Sequence, residues 1–216
     1  MSVKKNLKKI MAVAGVVAGA SLFGVSSAVA APNPNFHIYI AYGQSNMSGN
    51  GDIVPAEDQA KDPKNFLMLA SHNANASQRS GRTTQSIKTG EWYPAIPPMF
   101  HPTENLSPAD YFGRAMVDSL PGVTVGIIPV AIGAVAIKAF DKDQYKAYFN
   151  SAESYIKNWA RDYDSNPYQR IVDLGKKAKE VGVIKGFIFH QGETDGSGTE
   201  WQNAVYKDLQ GLYNGS

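Results

Sequence analysis

Two short clusters carry residue types that can do chemistry. The first is Tyr42-Gly43-Gln44-Ser45-Asn46-Met47, where a serine stands beside a glycine and between two amides. The second is His190-Gln191-Gly192-Glu193-Thr194-Asp195. Acyl transfer through a serine requires a nucleophile, a base to take its proton and donors for the oxyanion. Ser45 supplies a hydroxyl. Its own backbone N–H, that of Gly133 and the amide of Gln191 are candidate donors. A glycine at a strand end lets the backbone approach an oxyanion that a side chain would fend off. Each residue also has a plainer reading: Gly133 as a strand-to-loop turn, Glu193 as a solvated loop carboxylate, and Asp195 as turn chemistry ahead of Gly196-Ser197-Gly198.

The elements that must position these groups are legible in the pattern. Phe36 to Ala41 alternates and is rich in β-branched and aromatic residues, so Ser45 falls just past a strand. Val123 to Ile132 and Val183 to Phe189 are near-continuous apolar runs, as in buried parallel strands. Phe66 to Ala70 is a shorter strand-like run. Ser107-Pro108-Ala109-Asp110 opens a helix with a serine cap, a proline in the first turn and an early acid, and Pro121-Gly122 closes it. Apolar spacing predicts further helices over 143–159, from Asn166 to Gly182, and over 199–213. Strands alternating with helices imply an α/β fold with a parallel sheet covered on both faces, whose site lies beyond the carboxyl ends of the strands. Ser45, Gly133 and the 191–193 turn all follow strands. Residues 50–106 read mostly as loop, with six prolines and a polar tract from Ser71 to Thr89.

Composition narrows the classes. Lys4, Lys5, Lys8 and Lys9, an apolar core from Ile10 to Val25, and Ala28-Val29-Ala30 form an export signal over residues 1–30, which leaves 31–216 as one domain. The chain carries 21 Lys+Arg against 19 Asp+Glu, and four of those lysines leave with the signal. The remainder is 17 against 19, a formal −2, which gives no support for a nucleic-acid partner. The expected location is secreted or periplasmic, with no membrane attachment after cleavage. Without cysteine there are no disulfides and no zinc site built on thiolates. Asp141-Lys142-Asp143 reads as a solvated helix start, so no metal or other cofactor is expected.

Gly43-Gln44-Ser45-Asn46-Met47, Ala131-Ile132-Gly133-Ala134 and His190-Gln191-Gly192-Glu193 resemble the successive blocks of the SGNH-type serine esterases. The nearest branch is that of the sialate O-acetylesterases and family-six carbohydrate esterases, which include acetylxylan esterases. The resemblance implies a three-layer α/β/α flavodoxin-like sandwich that removes acetyl groups from xylan-type or sialylated glycans without a cofactor. It makes Ser45 the nucleophile, places Ser45, Gly133 and Gln191 in the oxyanion hole, and gives Glu193 the task of orienting the catalytic histidine. Two departures stand out. The second block has Gly133-Ala134 where the branch has a double glycine. The branch also carries an Asp-x-x-His block after the last strand, and none occurs in these 216 residues. The expectation is therefore a chain lacking the last strand and helix of the fold, with Val183 to Phe189 left as an uncovered edge.

The four histidines offer no ready substitute. His37 lies inside the first strand, His72 and His101 fall in the loop region, and His190 reads as a structural strand-end residue. Trp92 and Tyr93, in a proline-rich loop, are the expected sugar contacts, whereas Trp159 and Trp201 share helical spacing with apolar neighbours and read as core. Two rivals remain: a lipase- or thioesterase-like hydrolase of the same group, and an inactive carbohydrate-binding remnant.

Overall fold

The computed structural model describes residues 31–54, 57–58, 64–79, 83, 85–196 and 198–215. The expected export signal over 1–30 lies outside the described residues. Five strands form one sheet: β1 (Phe36–Gly43), β2 (Phe66–Leu69), β3 (Trp92–Pro94), β4 (Thr124–Ala131) and β5 (Val183–His190), in the order β3-β2-β4-β1-β5. β1 runs parallel to β4 on one side and to β5 on the other, and β2 runs parallel to β4. β3 is antiparallel to β2, so the sheet is mixed at that edge rather than wholly parallel, and Trp92 and Tyr93 belong to a strand, not a loop. β5 is the other edge; it pairs with β1 among the described strands.

Alternation along the inner strands feeds two cores. Ile38, Ile40 and Tyr42 of β1 and Ile128 and Val130 of β4 face one layer, with Ile171, Leu174 and Ala178 from α5 (Pro167–Lys179) and Leu212 from α6 (Thr199–Gly215). Ala41, Val125, Ile127 and Met68 face the other, covered by α2 (Pro108–Ser119) and the 95–100 segment. Side chains at successive strand positions point to opposite faces, so one apolar run serves both layers. The result is the three-layer α/β arrangement.

Local signals place the helices. Ser107 caps α2, its Oγ accepting from the Ala109 N–H at 3.1 Å. The same hydroxyl donates to the Met47 carbonyl at 2.6 Å, which fixes α2 to α1 (Ser45–Ser48), the short turn that begins at the candidate nucleophile. Asn166 caps α5 ahead of Pro167 by accepting from Gln169 N–H at 3.1 Å. The helix expected over 143–159 is two, α3 (Tyr145–Ser151) and α4 (Ser154–Ala160). Ala152 between them is extended, with φ −66° and ψ 157°. Ser151 turns its hydroxyl back onto the Ala147 and Tyr148 carbonyls at 3.3 and 3.1 Å, the local competition by which serine disfavours helix continuation.

The loop region is organised from inside. Arg79 is fully buried, donating from Nη1 to the Gln85 carbonyl at 3.1 Å and from Nη2 to the Ile96 and Pro98 carbonyls at 2.8 and 3.0 Å. One guanidinium thus gathers three loop carbonyls, a task its planar fork suits. Burial draws its pKa down to about 10, which still leaves it charged at neutral pH.

Candidate active site

Gly43 ends β1 with φ +149°, and a Cβ there would lie 2.0 Å from the His190 carbonyl oxygen. Only glycine lets β1 and β5 close to this degree at their carboxyl ends. The Gln44 N–H then donates to that carbonyl at 3.0 Å, and the Ile132 N–H donates to the Gly43 carbonyl at 3.1 Å. The ends of β1, β4 and β5 are thereby laced together immediately before Ser45. Ser45 itself opens α1 and is partly exposed.

Side chains of the two clusters complete the lacing. Gln44 is buried, and its Oε1 faces the Gly192 and Thr194 N–H groups at 3.5 and 3.4 Å. Gln191 donates from Nε2 to the Val135 carbonyl at 3.1 Å and to Asp195 Oδ2 at 2.5 Å, and its Oε1 accepts from the Trp201 indole at 2.6 Å. Asp195 Oδ2 also accepts from the Ile137 N–H at 2.8 Å, and Thr194 Oγ1 donates to the Ala134 carbonyl at 3.2 Å. The 133–137 turn is therefore clamped onto the 191–195 turn. The backbone N–H groups of Ser45 and Gly133 take no part in these bonds.

Glu193 stands at the mouth. Its Oε1 accepts from Asn46 Nδ2 at 2.5 Å and faces His190 Nδ1 at 3.3 Å. Asn46 in turn accepts from Asn50 at 3.0 Å. A carboxylate held by the residue after Ser45, with an imidazole against it, has the layout of an orienting acid. The His190 side chain is half exposed, so the contact is solvated. His37 lies partly buried within β1, and His72 is buried, its pKa pulled down to about 3 by desolvation and by the nearby positive groups of His101, Arg79 and Arg170.

The expected and observed positions differ in three places. Gln191 spends both amide hydrogens inside the protein, so as placed it has none left for an oxyanion. Asp195, read as turn chemistry, is instead the acceptor that joins the two turns. Trp92 and Tyr93 do not reach the site. The Trp92 ring packs on Phe36 at 4.7 Å and over Gly126, at the opposite ends of β1 and β4. Seven residues of strand separate Phe36 from Gly43, about 23 Å at 3.3 Å per residue. The Tyr93 hydroxyl is bound to Glu91 Oε2 and the Lys88 N–H at 2.8 and 3.1 Å. Trp201 reaches the 191–192 turn through its indole, and Trp159 reaches the neighbouring one, its Cζ3 lying 2.5 Å from a Cβ placed at Gly133. Helical spacing marked Trp159 as core, and nothing in the sequence pairs it with Gly133.

Among the described residues no cluster of His, Cys, Asp and Glu is arranged to hold a metal ion, and no helix is long and apolar enough to cross a membrane. A protein from Arabidopsis thaliana superposes with a TM-score of 0.57 at 20% identity, covering 84% of this chain and 69% of its own. NanS superposes with a TM-score of 0.55 at 18% identity, covering 84% of this chain and 65% of its own. At such identities the likeness speaks for the fold, and the chain spans about two thirds of the length of each. Residues 35–215, nearly the whole of the described domain with its three clamped strand ends, match the SASA family, and the chain belongs to this family of carbohydrate esterases, the sialic acid-specific acetylesterases.

Proposed function

We propose that this chain is the catalytic domain of an exported carbohydrate O-acetylesterase that works through Ser45. The observation that carries this reading is the joining of three strand ends around a partly exposed serine, with two backbone N–H groups uncommitted among the described residues and an anchored carboxylate beside it. Ser45 Oγ attacks the acetyl carbonyl carbon and passes its proton to a histidine oriented by Glu193. Among the described residues the imidazole against Glu193 is that of His190. The N–H groups of Ser45 and Gly133 receive the oxyanion, and Gln191 joins them only by exchanging its bond to Asp195. The sugar oxygen leaves with a proton, and water then releases acetate from the acetyl-enzyme. Each oxyanion donor of this kind is worth about 3 kcal/mol of transition-state stabilisation. The substrate is an acetylated glycan of the xylan or sialic acid type, reached outside the cytoplasm.

Ser45→Ala tests the reading. It should reduce acetate release from acetylated xylo-oligosaccharides or O-acetylated sialic acid to background, and remove labelling by a fluorophosphonate, with an unchanged melting temperature. Labelling that survives the substitution would move the nucleophile elsewhere.

A further inference from the structure

The cavities and charged clusters elsewhere lack a link to the chemistry, but the wall beside Gly133 has one. Trp159 sits on α4, half-buried, with its six-membered ring against Gly133. Tyr155, one turn earlier on the same helix and 49% exposed, meets it edge-on at 5.5 Å and 82°. His101 lies on another side, with ring centroids 6.3 Å apart. Its Nε2 contacts Asp162 Oδ2 at 3.3 Å, and Nδ1 is 2.8 Å from Thr103 Oγ1. The His101 and Asp162 side chains remain about a fifth and a third exposed.

We propose that Trp159, flanked by Tyr155 and the His101–Asp162 pair, is the subsite that receives the pyranose ring bearing the ester. The inference rests on the esterase reading of Ser45 and Gly133 and adds where the sugar lies. A pyranose ring presents polarised C–H bonds on one face and hydroxyls around its rim. The negative π face of an indole attracts the first, and a partly exposed imidazole and carboxylate can bond the second. An apolar platform with a few placed polar groups is the usual composition of a small-molecule site. Because Trp159 touches the glycine that offers its N–H to the oxyanion, a ring stacked there has its acetyl group next to Ser45. The Trp92 ring, packed on Phe36 and over Gly126, has no such relation.

The test measures binding in the Ser45→Ala background, where nothing is turned over. Isothermal titration with a monoacetylated methyl xylopyranoside should register binding, and ethyl acetate, which has the ester but no ring, should not. Trp159→Ala should weaken the glycoside about tenfold or more, the scale of losing an aromatic anchor, and Trp159→Phe should recover most of it. Should Trp159→Ala fail to fold, Tyr155→Ala and His101→Ala, which flank the indole, should each weaken binding several-fold. Unchanged affinity in a folded Trp159→Ala, or in both flanking variants, overturns the subsite. So does a Trp159→Ala protein that binds the sugar normally and gains butyryl ester turnover when Ser45 is restored, since Trp159 would then wall the acyl pocket. Fluorophosphonate labelling of Ser45 reports separately on the esterase reading, so the two fail independently.

Discussion

Replacing Gln191 by leucine separates a structural clamp from a chemical donor. The side chain is buried and makes three bonds, to the Val135 carbonyl, to Asp195 and from the Trp201 indole. Asp195 keeps its bond from the Ile137 N–H after the substitution, so its loss is partial. The Val135 carbonyl and the Trp201 N–H lose the partner that the fold gives them. At about 1–3 kcal/mol for each buried group left unpaired, the two together amount to roughly 2–6 kcal/mol. Leucine is close in size, so little of this is a cavity effect. Against a total stability of about 5–15 kcal/mol the loss is large, and it corresponds to a fall in Tm of roughly 4–24 °C for a domain of this size. Urea denaturation followed by tryptophan fluorescence measures it. Fluorophosphonate labelling at a temperature where the variant is folded then reports on the site. A Gln191→Leu protein within about 0.5 kcal/mol of the parent but slow to label would refute the clamp. It would show the amide to be free for the oxyanion.

Two further substitutions probe strain and buried charge. Ala134 occupies the left-handed region at φ 58°, where the Cβ of an L-residue is crowded. Ala134→Gly should stabilise by about 0.5–1 kcal/mol after the entropy of the freer unfolded glycine is subtracted, and a lower Tm would contradict this. Asp208 on α6 is buried, with Oδ2 lacking a partner among the described residues. Desolvation, then the like charge of Asp141, raise its pKa to about 7 against the opposing pull of Lys207. Asp143, Tyr42 and Tyr168 complete the ionisable surroundings. An acid whose folded pKa exceeds its unfolded one binds its proton more tightly when folded. Its stabilising contribution is therefore complete below about pH 4 and lost as pH rises through about 7, with ~4 kcal/mol as the ceiling. Asp208→Asn should remove that slope and raise stability at pH 8 by about 1–3 kcal/mol. Parallel pH–stability curves for parent and variant would disprove it.

The sequence alone settled four of the five strands, the caps and the place of Ser45, because each rests on local rules. Alternation fixes which face of β1 is buried, and Ser107 and Asn166 carry the acceptor their helix starts need. It also set the reading of Gln44-Ser45-Asn46 and Gln191-Gly192-Glu193 as partner clusters, because residue types suited to one chemistry followed successive strands. The break at Ala152 and the antiparallel β3 were not legible there. Both depend on competing contacts, a hydroxyl against a carbonyl and a strand against its neighbour, that have no period. Which amide hydrogens remain free, and which aromatic stands over Gly133, were decided by tertiary structure alone. Residues 133 and 159 are far apart in the chain, and nothing local about an indole tells whether it packs at one end of a sheet or the other. The hydrogen-bond capacity of Gln191 is fixed by its chemistry, but who consumes it is fixed by whatever the fold brings within 3 Å.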